Sequence, residues 1–268
     1  MRCLHDGMWR VGLFGNVKEG AVIKNVKLVN SYIEGGYHMG GVSGYLTKAS
    51  IDGVYSEAIV KARDGHAGGV VGTIIDGSVN NAWFAGQMIG DGMYIGGIAS
   101  FTANDTGELS NCLNTGSVTG KGEVGGILGR AASKKTTIKY CLNSGTVTSE
   151  GKYGSVLGYI VADTNCDIAE GVYATKESAK KTTGNGGTAG VVIVNTIAEL
   201  TGDGGYQRTI LDFNKYWAVR AESTPVLKKF GGTAPSNPNA ARIADLQAQI
   251  GEKTAAMEVK GQRIGKLQ

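Results

Sequence analysis

The chain has 268 residues, of which 44 are glycine, with 41% hydrophobic residues and a net charge of +4. That charge is mild, and the 27 basic residues form no patch interleaved with aromatics, so nucleic acid is not an expected partner. No stretch approaches the ~20 apolar residues of a membrane span, and the 4 cysteines contain no CxxC motif that would suggest a disulfide scaffold or a zinc ribbon.

The first ten residues hold no apolar run of the signal-peptide kind, and Val11 already belongs to a repeat block. The expectation is a first coil that begins uncapped, in a chain that is a piece of a longer protein. The block itself is Gly12-Leu13-Phe14-Gly15, and it returns as Gly41-Val42-Ser43-Gly44, Gly69-Val70-Val71-Gly72, Gly97-Ile98-Ala99-Ser100, Gly126-Ile127-Leu128-Gly129 and Ser155-Val156-Leu157-Gly158. The steps are 28 or 29 residues. A period this tight means one supersecondary unit stacked on copies of itself.

Within each unit the apolar columns give two or three short strands and leave no room for a patterned helix. One column is Ile23, Ile51, Val79, Leu109 and Ile138; the next is Val26, Val54, Ala82, Cys112 and Cys141; the last is Tyr32, Val60, Met88, Val118 and Val147. The fold class this predicts is all-β, a β-solenoid over residues 1–198. At about 4.8 Å per coil, six copies would make a rod on the order of 30 Å long. The glycine pair before each aliphatic residue is assigned to a corner, where a positive φ or a missing Cβ is needed. Cys112 and Cys141 are expected to be small core residues on adjacent coils, and Cys3 and Cys166 show no pairing logic.

Two residues before the glycine pair run Trp9, His38, His66, Tyr94, Glu123 and Lys152. Trp9, His38, His66 and Tyr94 are the candidate ligand-binding ladder, a strip on which sugar rings could stack. The competing reading is a structural corner where planar side chains stack on their own copies, and the drift to Glu123 and Lys152 favours it. No catalytic set is predicted: the acidic residues fall at different phases of the repeat, and Asp64-Gly65-His66 has no nucleophile block beside it. No metal or other cofactor is predicted either. His38 and His66 lack an assured third ligand, and Asp163-Thr164-Asn165-Cys166-Asp167 lacks the glycine and glutamate of a calcium loop. Asn104-Asp105-Thr106 matches a glycosylation sequon of the kind expected by chance.

Beyond Gly158 the period degrades, with a polar, glycine-rich excursion over residues 176–187 and one more strand over 191–197. Phe213, Tyr216, Trp217, Pro225, Val226 and Leu227 concentrate the large apolar surface of residues 199–230, which are expected to cap the open end of the solenoid. Residues 231–239, with two prolines, read as a linker. In residues 240–268 the apolar period becomes seven, with Ile243, Ile250, Met257 and Ile264 on one seam. This predicts a short heptad-patterned helix, weakened by Lys253, Lys260 and three glycines, through which the chain could self-associate.

The Gly-aliphatic-x-Gly blocks, each trailed by a strand such as Leu109-Ser110-Asn111-Cys112-Leu113-Asn114, resemble the GLUG repeat family. The ending Trp217 to Pro225-Val226-Leu227 is similar to the segment that closes such arrays. The resemblance implies a module of a bacterial surface or secreted protein, adhesin-like or from the non-catalytic part of an immunoglobulin A protease. It implies an extracellular location and carries over no catalytic residues. The expected function is therefore a non-enzymatic spacer or adhesive surface, whose partner is a protein or glycan of a host or environmental surface. The alternatives are an accessory segment of a secreted peptidase and a carbohydrate-binding or carbohydrate-active solenoid of the tail-spike or lyase kind.

Overall fold

The computed structural model describes residues 2–4, 9–162, 165–185 and 192–231, with only the backbone of 2–4. The chain divides into two units, Met1–Ala234 and Pro235–Gln268. The second unit, with the heptad-patterned tail, lies outside the described residues.

The first unit is a β-solenoid of about six coils with short helices near its C-terminal end. Every coil-to-coil pairing in it is parallel, so each strand hydrogen-bonds to its own copy one repeat away. A coil has three to five strand segments where two or three were expected. The short wall is built from Arg10–Val11, His38–Gly40, His66–Gly68, Tyr94–Gly96, Glu123–Gly125 and Tyr153–Gly154. A long wall follows the glycine block and bends midway, as in Ser43–Thr47 and Ser50–Ser56, or runs on without a break, as in Val71–Phe84. A closing wall of Arg2–Leu4, Tyr32–Gly35, Ile59–Ala62, Gln87–Gly90, Ser117–Gly120 and Val147–Ser149 completes the circuit.

The columns read from sequence are the core. Ile51 pairs with Ile23 and Val79, Leu109 with Val79 and Ile138, and Val54 with Val26 and Ala82. Cys112 and Cys141 are wholly buried and reduced, with the Cys112 N–H donating to Cys141 Sγ at 3.4 Å. The closing-wall column needs one correction: Ile33, not Tyr32, pairs with Val60 and is the buried residue. The first coil carries one extra residue before this wall, taken up where Asn30 turns left-handed with φ of 49°.

The double glycine is a close-approach site and not a positive-φ corner. At Gly69 a Cβ would run into the carbonyl of Gly97 and the ring of Phe84; at Gly126 it would meet the carbonyl of Ser155 and the Asn143 amide. Left-handed residues lie elsewhere: two residues after the Ile51 column are Asn25, Gly53, Asn81, Asn111 and Tyr140, and three after Ile168 is Gly171, with φ between 50° and 72°, while Lys48, Asp76 and Asn104 form a second left-handed set before that column. Asparagine and glycine adopt that conformation readily; Tyr140 does not.

Residues 176–185 are less irregular than their composition suggests. The Ser155 N–H donates to Lys181 O at 2.7 Å and the Val156 N–H to Thr182 O at 3.1 Å, adding part of a further rung. Ile193–Asn195 then pairs in parallel with Tyr173–Thr175.

The segment expected at the solenoid's end covers its flank instead. After the helices α1 (Ile197–Leu200) and α2 (Asp203–Arg208) comes an antiparallel hairpin of Trp217–Arg220 and Ser223–Leu227. Thr196 and Glu199 form a capping box that starts α1. Leu200, Leu211, Phe213, Trp217 and Leu227 pack onto Trp83, Leu113, Leu142 and Tyr173, an outward column on the long wall of successive coils. The strap continues until Phe230 meets the Tyr55 ring at 5.7 Å and Lys229 donates to Asn25 of the first coil. An outward apolar column of this kind must be covered somewhere, and the strap removes it from water.

Candidate functional site

The ladder forms along the edge where the short wall meets the long wall. His66 pairs with His38 on one side and Tyr94 on the other, and Tyr94 pairs with Glu123. Trp9 is not part of it. Arg10 is the residue paired with His38, because the first block has Val11 where later coils have a glycine and the register slips by one between Val11↔Met39 and Phe14↔Ser43. Trp9 stands 70% exposed, its ring 5.4 Å from that of Tyr37.

A second column faces the first: Asn16, Tyr45, Thr73, Phe101, Arg130 and Tyr159, each the residue directly after its glycine block. The sequence reading missed it, although its fixed place after the block was visible. Thr73 Oγ1 lies 2.7 Å from His38 Nδ1 and 3.4 Å from His66 Nδ1, so a single hydroxyl can donate to one imidazole and accept from the other. The His66 ring stacks on Tyr94 at 4.5 Å and meets Phe101 at 5.0 Å. The Arg130 guanidinium lies 4.6 Å above the Tyr94 ring, and Nη1 donates to the Tyr94 hydroxyl at 2.8 Å and to Glu123 Oε2 at 3.4 Å. Arg10 over Tyr45 at 4.1 Å and Lys152 over Tyr159 at 4.0 Å extend the pattern to both ends.

This geometry sets the charge states. Burial, with Arg10 beside it, holds His38 at about 4, and burial, with His38 and Arg130, holds His66 at about 4 against the opposing pull of Asp64. Both imidazoles are neutral near pH 7. Burial raises the Glu123 carboxyl, opposed by Arg130 and Lys152. The rings spend their faces on one another and the imidazole Nδ1 atoms on Thr73. Among the described residues no group of three His, Cys, Asp or Glu side chains could hold a metal. Asp163 lies outside them, and Asp167 belongs to the strand Asn165–Ile168.

Elsewhere acidic side chains are matched to basic ones one coil away. Glu34 takes Lys61 at 3.6 Å and Arg63 at 3.3 Å, Asp91 takes Lys121 at 2.8 Å, Asp105 takes Lys134 at 2.7 Å, and Glu108 takes Lys139 at 3.0 Å. Exposed pairs of this sort contribute little each.

No family model matches the chain, and no curated protein matches it. Among solved structures, the fold is similar to that of a "putative immunoglobulin A1 protease" from Bacteroides ovatus, with a TM-score of 0.51 and 18% identity over 85% of this chain and 78% of that one. A likeness at this identity speaks to the fold alone. No helix among the described residues is long and apolar enough to cross a membrane.

Proposed function

We propose that the chain is a non-catalytic repeat module that spaces or presents a binding surface within a larger bacterial surface or secreted protein, outside the cell. The observation that carries this reading is the use of its ionisable groups: acidic and basic side chains pair coil to coil, and His38 and His66 turn to Thr73 and are neutral. Catalysis needs such groups convergent on one substrate within hydrogen-bond reach. The repeated Gly-aliphatic-x-Gly blocks support an adhesin-like GLUG module, with a protein or glycan of a host or environmental surface as its partner. The purified chain should turn over no peptide or glycan substrate, and host-surface binding should survive changing Asp64 and His66 together to alanine. Reproducible turnover abolished by that double change would sink this reading in favour of a carbohydrate-active solenoid.

A second reading is favoured by the likeness to the Bacteroides ovatus protein: the chain serves as an accessory segment of a secreted peptidase whose catalytic domain lies elsewhere. A zinc-binding His-Glu-x-x-His in the coding sequence flanking this chain would support it. Peptidase activity that is undiminished when the solenoid is deleted from the whole protein would count against it.

A further inference from the structure

Between the strap and the long wall lies a cleft of about 500 Å³, lined by Tyr140 and Tyr216 and by the polar groups of Asn80, Ser110, Asn111 and Asp212. It opens into a second groove of about 580 Å³ that shares Ser78 and Glu108 with it and crosses the coils from Val22 to Thr137. Together they form a trough along the solenoid axis, about 20 Å long at ~4.8 Å per coil. Small residues, Ala21, Ala49, Gly77 and Gly107, are among its lining.

One lining residue is out of keeping with its column. At the left-handed corner four coils carry Asn or Gly at Asn25, Gly53, Asn81 and Asn111, whereas the fifth carries Tyr140 at φ 52°. Forcing a bulky residue there costs on the order of 1–2 kcal/mol, and such strain is retained where function holds it in place. The ring is held by the Tyr140 hydroxyl donating to Glu170, and Gly171, having no Cβ, leaves room for it on the next coil. Lys215 sits 4.8 Å over the Tyr216 ring on the opposite side of the cleft. Within the cleft, Glu108 pairs with Lys139, and Asp212 Oδ1 accepts the N–H groups of Asn214 and Lys215, whereas the groove beyond is lined by Lys48, Asp76 and Lys135. Aromatic faces beside amide and hydroxyl groups, with no free cation among the lining residues of the cleft, suit a ligand that offers C–H faces and hydroxyls and carries no charge.

We propose that this cleft binds a neutral oligosaccharide, with one sugar ring against Tyr140. The site is distinct from the His38–Tyr94 ladder and names the ligand class for the adhesive reading, on which it rests. Tyr140→Asn separates binding from folding, because asparagine is the residue that other coils use at this corner. The test is calorimetric titration and saturation-transfer NMR of the full chain with short neutral oligosaccharides of hexoses and N-acetylhexosamines, and with uronate-containing ones. Expected is binding of a neutral oligosaccharide that Tyr140→Phe preserves and Tyr140→Asn weakens about tenfold or more while thermal stability holds or rises. Equal binding by wild type and Tyr140→Asn, preference for the anionic glycans, or no binding of any neutral one overturns the site. Adhesion of the chain to a glycan-free host protein, unaltered in Tyr140→Asn, would overturn the cleft and leave the adhesive reading standing. Oligosaccharide binding without adhesion to any surface would do the reverse.

Discussion

Asn114 donates its side-chain amide to Asn143 Oδ1, one coil further on, at 2.8 Å and wholly out of water. The chain continues, since Asn143 Nδ2 donates to Ser155 O at 2.6 Å, and each asparagine also accepts from the backbone N–H two residues on. The pair fills the space opposite the glycines of the next wall, so polar satisfaction and close packing are met by the same two side chains.

Asn143→Ala should therefore destabilise by about 1–3 kcal/mol, since it leaves the Ser155 carbonyl and the Asn114 amide buried without their partner. The double change of Asn114 and Asn143 to alanine should cost less than the two single changes added together. Urea unfolding of the three variants checks this, and strict additivity would show that the two amides act independently.

Gly69→Val and Gly126→Val should each cost about 3 kcal/mol or prevent folding, because the new Cβ meets the backbone carbonyl of the next coil, which cannot step aside. Gly20 is the contrasting site: its φ is +76°, but nothing lies within 4 Å of an added Cβ. Gly20→Ala should cost about 1 kcal/mol, from backbone strain alone. Thermal midpoints that rank Gly20→Ala with the two valine variants would reject the close-approach account.

Cys112 and Cys141 should react slowly with thiol reagents in the native protein and at once in denaturant. Burial raises the Cys112 thiol far above its usual range and pushes Cys166 up to about 12, so the reactive thiolate is scarce at neutral pH. Cys141→Ser should destabilise more than Cys3→Ser, since it puts a hydroxyl in an apolar column. Fast native labelling of both column thiols would place them outside the core.

Stability should depend on pH through the paired imidazoles. His38 and His66 titrate at about 4 when folded, against 6.5 for an ordinary histidine, so between those values the unfolded chain binds more protons. Their contribution is complete above pH 6.5, is lost as pH falls toward 4, and changes no further once the folded imidazoles also protonate. The drop in thermal midpoint from pH 7 to pH 4.5 should shrink in the His38→Gln, His66→Gln double variant. A drop of the same size would assign it to the carboxylates.

The solenoid was legible because stacking imposes the same demand at the same place in every coil. Val70, Ile98 and Ile127 recur for that reason, and so do the glycines before them. Register within a coil was less legible: the residue missing before Gly12 and the one added near Asn30 moved Arg10 into the place expected of Trp9 and Ile33 into that of Tyr32. The left-handed column escaped notice because Asn25, Gly53 and Tyr140 share a backbone conformation and no side-chain chemistry. For the candidate site, His38, His66 and Tyr94 could be aligned by counting. Thr73, Phe101 and Arg130, which decide what those rings do, belong to another wall and meet them only when the chain folds around the corner. The tyrosine cleft joins Tyr140 to Tyr216 across the strap, a pairing that no period announces.

The strap alters how such a rod comes apart. Stacked rungs that touch only their neighbours fray from either end, one at a time. Here Lys229 reaches Asn25 across 204 residues of sequence, and the intervening aromatics grip four successive coils. A contact at this sequence separation raises the contact order, which slows folding. Once made, it sets a first and a later coil to yield together, and a force that pulls on one coil is shared along the whole flank.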